Sequence, residues 1–160
     1  MNFSRMSFGG GTFLRGFNVY VARITTKTGA ILFYVGRTGD HSSPNAGSLF
    51  ARMSAHFNPK GKGNSIQRRL ASRSLSPHEC SFEVIEFGPI HPEQKTFDAH
   101  RPLRDEVEAV EFALALALKC KGYDVIGTHQ CAQQLSDNMR PIVMLVLDRV
   151  TREFGLNGAE

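Results

Sequence analysis

Two short runs of β-branched and aromatic residues, "NVYVARIT" (18–25) and "ILFYVGR" (31–37), are divided by the turn sequence "TKTGA". That pattern predicts a β-hairpin. "SFEVIEF" (81–87) alternates at period two, with Phe82, Val84 and Ile85 as inward candidates, and predicts a third strand. "SLFARMSAHF" (48–57) sets Leu49, Met53 and Phe57 on one side of a helix, with Ser48 as its N-cap. "SIQRRLASRS" (65–74) predicts a second helix, short and basic.

The strongest helical pattern is "LRDEVEAVEFALALALKCKG" (103–122). Acids crowd its first turns, lysines sit near its end and Gly122 stops it, as the helix dipole and the glycine C-cap favour. A last amphipathic helix is predicted over about 138–154, with Pro141 in its first turn and Gly155 past its end. The Gly-rich residues 1–16 read as a loose arm, and "GDHSSPNAG" (39–47), "NPKGKGN" (58–64) and "GPIHPEQKTFDAHRP" (88–102) read as loops. "YDVIGTH" (123–129) reads as a short extended piece. The expectation is one α/β (α+β) domain over 17–160, in the order β-β-α-α-β-α-α, with a small central antiparallel three-stranded sheet flanked by helices.

Composition narrows the class. No apolar run approaches the roughly 20 residues of a membrane span, and "MNFSRMSFGGGTFLRGF" lacks the apolar core of a secretory signal. Cys80, Cys120 and Cys131 are odd in number and widely spaced, which points to reduced thiols in a cytoplasm and to no metal knuckle. Charge is lopsided. Met1 to His78 holds eleven Lys or Arg against one acid, Asp40, while Glu79 to Glu160 holds eight against fourteen acids. A basic half of that kind suits a polyanion such as nucleic acid. Arg37, Lys60, Lys62, Arg68, Arg69 and Arg73 are its candidate contacts. An acidic protein partner would suit the same surface.

Glu111 is polar where the pattern is apolar. Val107, Leu114 and Leu118 share its helix face, so its carboxylate must be paired, protonated or bound to a cation. Glu108, one turn back, is the weaker candidate. Arg52 and His56 stand one turn apart on the 48–57 helix and suit a phosphate between them. Tyr20 and Tyr34 lie on the paired strands and reach one face only if the hairpin register allows it. His41, His78, His91 and His100 fall in loops without ligand spacing and are expected to be solvent-exposed. The final helix carries more apolar residues than one core face needs, among them Ile142, Val143, Leu145, Val146, Leu147, Val150 and Phe154. The surplus suggests a homodimer seam.

Over roughly residues 17–126 this order resembles the GIY-YIG nuclease superfamily. "NVY" stands at the GIY element, "YVG" at YIG, "LFARMSAHF" at the helix with the catalytic Arg, and "AVEFALALAL" at the helix with the metal-binding Glu. Asn18 and Val19 replace the Gly and Ile of GIY. No Asn follows the Glu helix before Asn138, and Asp124, Thr128 and His129 are the candidates for its place. The resemblance implies a metal-dependent DNA endonuclease, restriction-type in its compactness. Glu111 would hold Mg²⁺ or Mn²⁺, Arg52 would clamp the phosphate, and Tyr20, with Tyr34 sharing or orienting, would act on the water. His56 would relay a proton or hold Tyr20, and the nearby Arg and metal would lower the Tyr20 pKa. The alternative is a binding module that keeps the fold and has lost cleavage.

Overall fold

The structure is a computed structural model and describes residues 6–40, 44–58, 60, 64–127 and 129–156. The elements are β1 (Phe17–Thr26), β2 (Ile31–Arg37), α1 (Leu49–Phe57), α2 (Ser65–Ala71), β3 (Cys80–His91), α3 (Phe97–Cys120) and α4 (Arg140–Glu153). The strands form one antiparallel sheet in the order β2-β1-β3. The expected fold class and element order are therefore observed.

Strand β1 is the middle strand and is buried on both faces, which splits the core in two. Val19, Val21, Phe33 and Val35 face α3 and α4, where Val107, Val110, Leu114, Leu118, Val146 and Val150 cover them. Tyr20, Ala22, Ile24, Leu32 and Tyr34 face the other way, against Leu49 of α1 and Ile66 and Leu70 of α2. Period-two alternation delivers both faces from one run of sequence. The "YDVIG" segment adds a single parallel bridge, Val125 to Phe33, at the outer edge of β2.

Several expectations are corrected. The loop expected from residue 88 is strand as far as His91. The register jumps from Val19 opposite Phe87 to Phe17 opposite His91, so β3 bulges around Gly88 and Pro89. A bulge on an edge strand is where a proline without an N–H is tolerated. Helix α3 starts at Phe97, six residues early, with Pro102 inside it. Thr96 caps it by accepting from the Ala99 N–H, and His100 anchors its first turns.

His100 is fully buried rather than exposed, with Nε2 3.0 Å from the Gly39 carbonyl oxygen. His91 is likewise partly covered and pairs with Glu106 at 2.7 Å. His78 is exposed as expected, and His41 lies outside the described residues. Val84, one of the inward candidates, is 37% exposed and lines the groove between the arm, α1 and β3. In the arm, Phe8 and Phe13 lie against Phe50 at ring-centroid distances of 5.2 and 5.0 Å, while most of residues 6–15 are exposed.

On α4, Val143, Val146 and Val150 are core residues, as is Phe154 just past its end, whereas Met144 and Leu145 are exposed. The three cysteines are free thiols. Among the described residues no helix is long and apolar enough to cross a membrane.

Candidate active site

The hairpin register decides where the tyrosines go. Tyr20 pairs with Gly36 and Ala22 with Tyr34, so both rings lie on the α1-facing side of the sheet. Tyr20 is fully buried and needs the missing side chain of Gly36: a Cβ there would stand 2.3 Å from the phenolic oxygen. The glycine of "YVG" is thus demanded by space. Tyr34 stacks beside Tyr20, with ring centroids 6.2 Å apart.

Helix α1 brings the third ring. Ser48 accepts from the Ala51 N–H and fixes the helix start, and Leu49 anchors it in the core. One face then carries Arg52 and His56 to the sheet. His56 is fully buried and its Nε2 lies 2.5 Å from the Tyr20 hydroxyl. Burial raises the Tyr20 pKa well above its ordinary value, and the opposing pull of Arg52 is too small to reverse it. The charge of Arg52 alone therefore does not lower the phenol below its ordinary value. A phenol that keeps its proton donates it, which makes His56 Nε2 the acceptor. Burial also raises Tyr34, partly offset by the charge of Arg52 and by the Ser65 hydroxyl.

Arg52 donates from Nη2 to Asp40 Oδ2 at 2.6 Å, with both side chains largely covered. Asp40 was not among the residues expected at the site, although a signal existed: it is the single acid of the basic half and follows "YVGRTG" directly. Its loop is held by Gly39, whose φ of +77° suits glycine, and by His100 on the Gly39 carbonyl.

Asp40 also lines a cleft of about 190 Å³ with Arg37, Glu108, Glu111, Phe112, His129 and Gln130. None of Tyr20, Tyr34, Arg52 and His56 lines this cleft, which Asp40 links to them through its ion pair with Arg52. Tyr20, Tyr34, Arg52 and His56 belong to the α1 side, and Glu111 reaches in from α3. Glu111 stands on the buried face, as its neighbours Val107, Leu114 and Leu118 required, with its side chain 18% exposed. Burial raises its pKa, and Arg37 pulls it back in part. The charges of Asp40 and Arg52 also act on it.

Arg37, expected as a nucleic-acid contact, lies in this cleft. Its Nη1 donates to Glu111 Oε2 at 2.6 Å and its Nη2 stands 3.4 Å from Glu108 Oε1. Of the three candidates for the missing Asn, His129 enters the cleft, with Nε2 3.0 Å from the Val35 carbonyl oxygen. Burial lowers its pKa. Asp124 instead pairs with Arg73 at 2.5 Å, and Thr128 lies outside the described residues.

Among the described residues no group of three His, Cys, Asp or Glu side chains stands together to hold a metal unaided. The donor set nevertheless fits a hard cation that keeps most of its water. Glu111, with Glu108 and Asp40 on the same walls, offers carboxylate oxygen alone, the ligand type that Mg²⁺ and Mn²⁺ accept alongside water and phosphate oxygens. Of the remaining basic candidates, Lys60, Arg68 and Arg73 are exposed, Arg69 is half-buried, and Lys62 lies outside the described residues. The charges of Lys119, Arg69 and Arg37 add to the lowering of His129.

A larger groove lies elsewhere. About 880 Å³ between the arm, α1 and β3 is lined by residues such as Met6, Phe8, Phe50, Met53 and Phe57, with no charged side chain among them. No family model, curated protein or solved structure matches the chain.

Proposed function

We propose that the chain is a metal-dependent endonuclease that hydrolyses phosphodiester bonds in DNA. The observation that carries this reading is the Tyr20–His56 hydrogen bond at 2.5 Å beside Arg52, which Asp40 ties to the cleft that Glu111 lines. Hydrolysis needs a base for water, positive charge at the phosphate, and positioning of both.

In this reading Tyr20 takes a proton from the attacking water as its own proton passes to His56 Nε2. A buried phenol of raised pKa is a poor base alone, and the imidazole behind it makes the transfer possible. Arg52 turns its guanidinium to the phosphate and aligns it. Tyr34 fixes the Tyr20 ring by stacking. A divalent cation held by Glu111 would supply positive charge at the phosphate and its leaving oxygen. Duplex DNA is the expected partner, met by Lys60, Arg68, Arg69 and Arg73, the last of these weakened by Asp124. Exposed Met144 and Leu145 offer a seam for a homodimer, which would set two sites against two strands. A cytoplasmic location accords with the free thiols.

One observation favours a second reading, binding without cleavage: both arginines of the site already hold carboxylates, Arg37 on Glu111 and Arg52 on Asp40. Incubating supercoiled plasmid with purified protein and Mg²⁺, Mn²⁺ or EDTA separates the two. Nicking that EDTA abolishes supports the endonuclease. Salt-sensitive DNA binding without nicking under either cation leaves the binding module.

A further inference from the structure

We infer that Arg37 is a removable counter-ion of Glu111, one that releases the carboxylate to a cation when a DNA phosphate takes the guanidinium. The inference rests on the endonuclease reading and adds to it a coupling between cation and DNA binding.

Position is the first ground. Arg37 sits opposite Val19 on the α3-facing side of β2, so its side chain points at α3 and away from the exposed basic residues of α2. It spans two carboxylates one helical turn apart, Glu111 at 2.6 Å and Glu108 at 3.4 Å. With its side chain only 11% exposed, this pair is screened far less than a surface ion pair. A cation that used Glu111 while Arg37 stayed in place would stand beside a guanidinium in a partly covered cleft. Like charges so placed repel, so the resting pair must weaken cation binding.

Capacity is the second ground. A guanidinium has five N–H donors in a planar fork that fits a phosphate as well as a carboxylate. Arg37 Nε is buried and has no hydrogen-bond partner among the described residues. The side chain thus holds a donor in reserve at the cleft, and exchanging a carboxylate for a phosphate oxygen keeps its charge paired. The exchange leaves Glu111 open to a cation whose charge the phosphate also attracts. By linkage, DNA then tightens cation binding and the cation tightens DNA binding by the same factor. A purely structural ion pair would produce no such coupling.

The test measures Mn²⁺ binding to the full chain by the spectroscopic signal of free Mn²⁺, with and without a short duplex of phosphorothioate linkages. Wild type, Arg37→Met and Arg37→Lys are compared, with circular dichroism as the check of folding. The duplex should tighten Mn²⁺ binding to wild type by about tenfold. Arg37→Met should bind Mn²⁺ about tenfold more tightly than wild type without DNA and gain little more with it. Arg37→Lys keeps the charge without the fork and carries the test if Arg37→Met does not fold: without DNA it should bind Mn²⁺ about as wild type does, and it should lose most of the tightening by the duplex. Unchanged or weaker Mn²⁺ binding in folded Arg37→Met, or a coupling that survives either substitution, overturns the inference alone, whatever the plasmid assay gives. Absence of Mn²⁺ binding to wild type under both conditions overturns it together with the metal-dependent reading.

Discussion

Gly36→Ala adds one methyl group and nothing else. The new Cβ would stand 2.3 Å from the Tyr20 hydroxyl oxygen, 2.4 Å from Cζ and 2.9 Å from Cε2. Ordinary contact requires more than 3 Å, so the ring must move by about 1 Å. It has little room to do so, because Tyr20 is fully buried and flanked by Tyr34 and His56. Overpacking of this kind costs roughly 1–3 kcal/mol. Loss of the 2.5 Å hydrogen bond to His56 adds about 1 kcal/mol. A total of about 2–4 kcal/mol should lower the urea midpoint by about 1 M, taking a slope of about 2–3 kcal/mol per molar.

If Tyr20 acts on the water, a displacement of 1 Å should also cost about a hundredfold in cleavage rate. A double-mutant cycle isolates the cause. In a Tyr20→Ala background the added methyl meets no ring, and Gly36→Ala should cost close to nothing. Urea denaturation followed by fluorescence, with plasmid cleavage under Mg²⁺, gives both readouts. Gly36→Ala with wild-type stability and cleavage would refute the placement of the Tyr20 ring and the role built on it.

Three further outcomes are expected. His56→Ala should lower the cleavage rate by about 10²–10⁴ and leave salt-dependent DNA binding intact, as measured by anisotropy on a labelled duplex. Thr38→Val should cost about 1–3 kcal/mol in urea unfolding, because the Thr38 hydroxyl donates to the Gly16 carbonyl at 2.6 Å and accepts from the Asn18 N–H at 2.8 Å. Glu86, opposite Tyr20, has one carboxylate oxygen buried without a partner among the described residues, and burial raises its pKa to about 7. A carboxyl raised by folding contributes stability that is present below about pH 4.5 and lost as pH climbs through 7. The full shift is worth about 3 kcal/mol, of which about 1 is expected for a group half open to solvent. Glu86→Gln should therefore stabilise the protein by about 1 kcal/mol at pH 8 and flatten the decline seen in thermal melts between pH 5 and 8.

The fold was legible wherever one residue pattern governed the backbone. The hairpin, the Ser48-capped helix and the order of elements follow from period, caps and turn residues. What escaped the pattern was set by tertiary contact. Proline argued for loops at Pro89 and Pro102, yet a bulge admits the first, and the second lies in a helix that Thr96 caps and buried His100 anchors. The exposed histidines expected from loop composition failed at His100 for the same reason.

At the candidate site, Tyr20, Tyr34, Arg52 and His56 were identified from strand and helix spacing, and the register brings them together. Glu111 was found as a charge on an apolar face. The pairing of Arg37 with that charge was not legible, because it joins residues 74 apart in sequence across two layers. Asp40 was overlooked because a lone acid in a turn-rich loop has no periodicity to mark it.

Cleavage of a labelled duplex under single-turnover conditions with Mg²⁺ tests the endonuclease reading most directly, comparing wild type with Arg52→Ala and Glu111→Ala of verified fold. The account predicts cleavage by wild type, abolished by EDTA, and a loss of at least a hundredfold in each variant. Cleavage by either variant at the wild-type rate, or no cleavage by wild type on duplex, branched or single-stranded DNA, would contradict it.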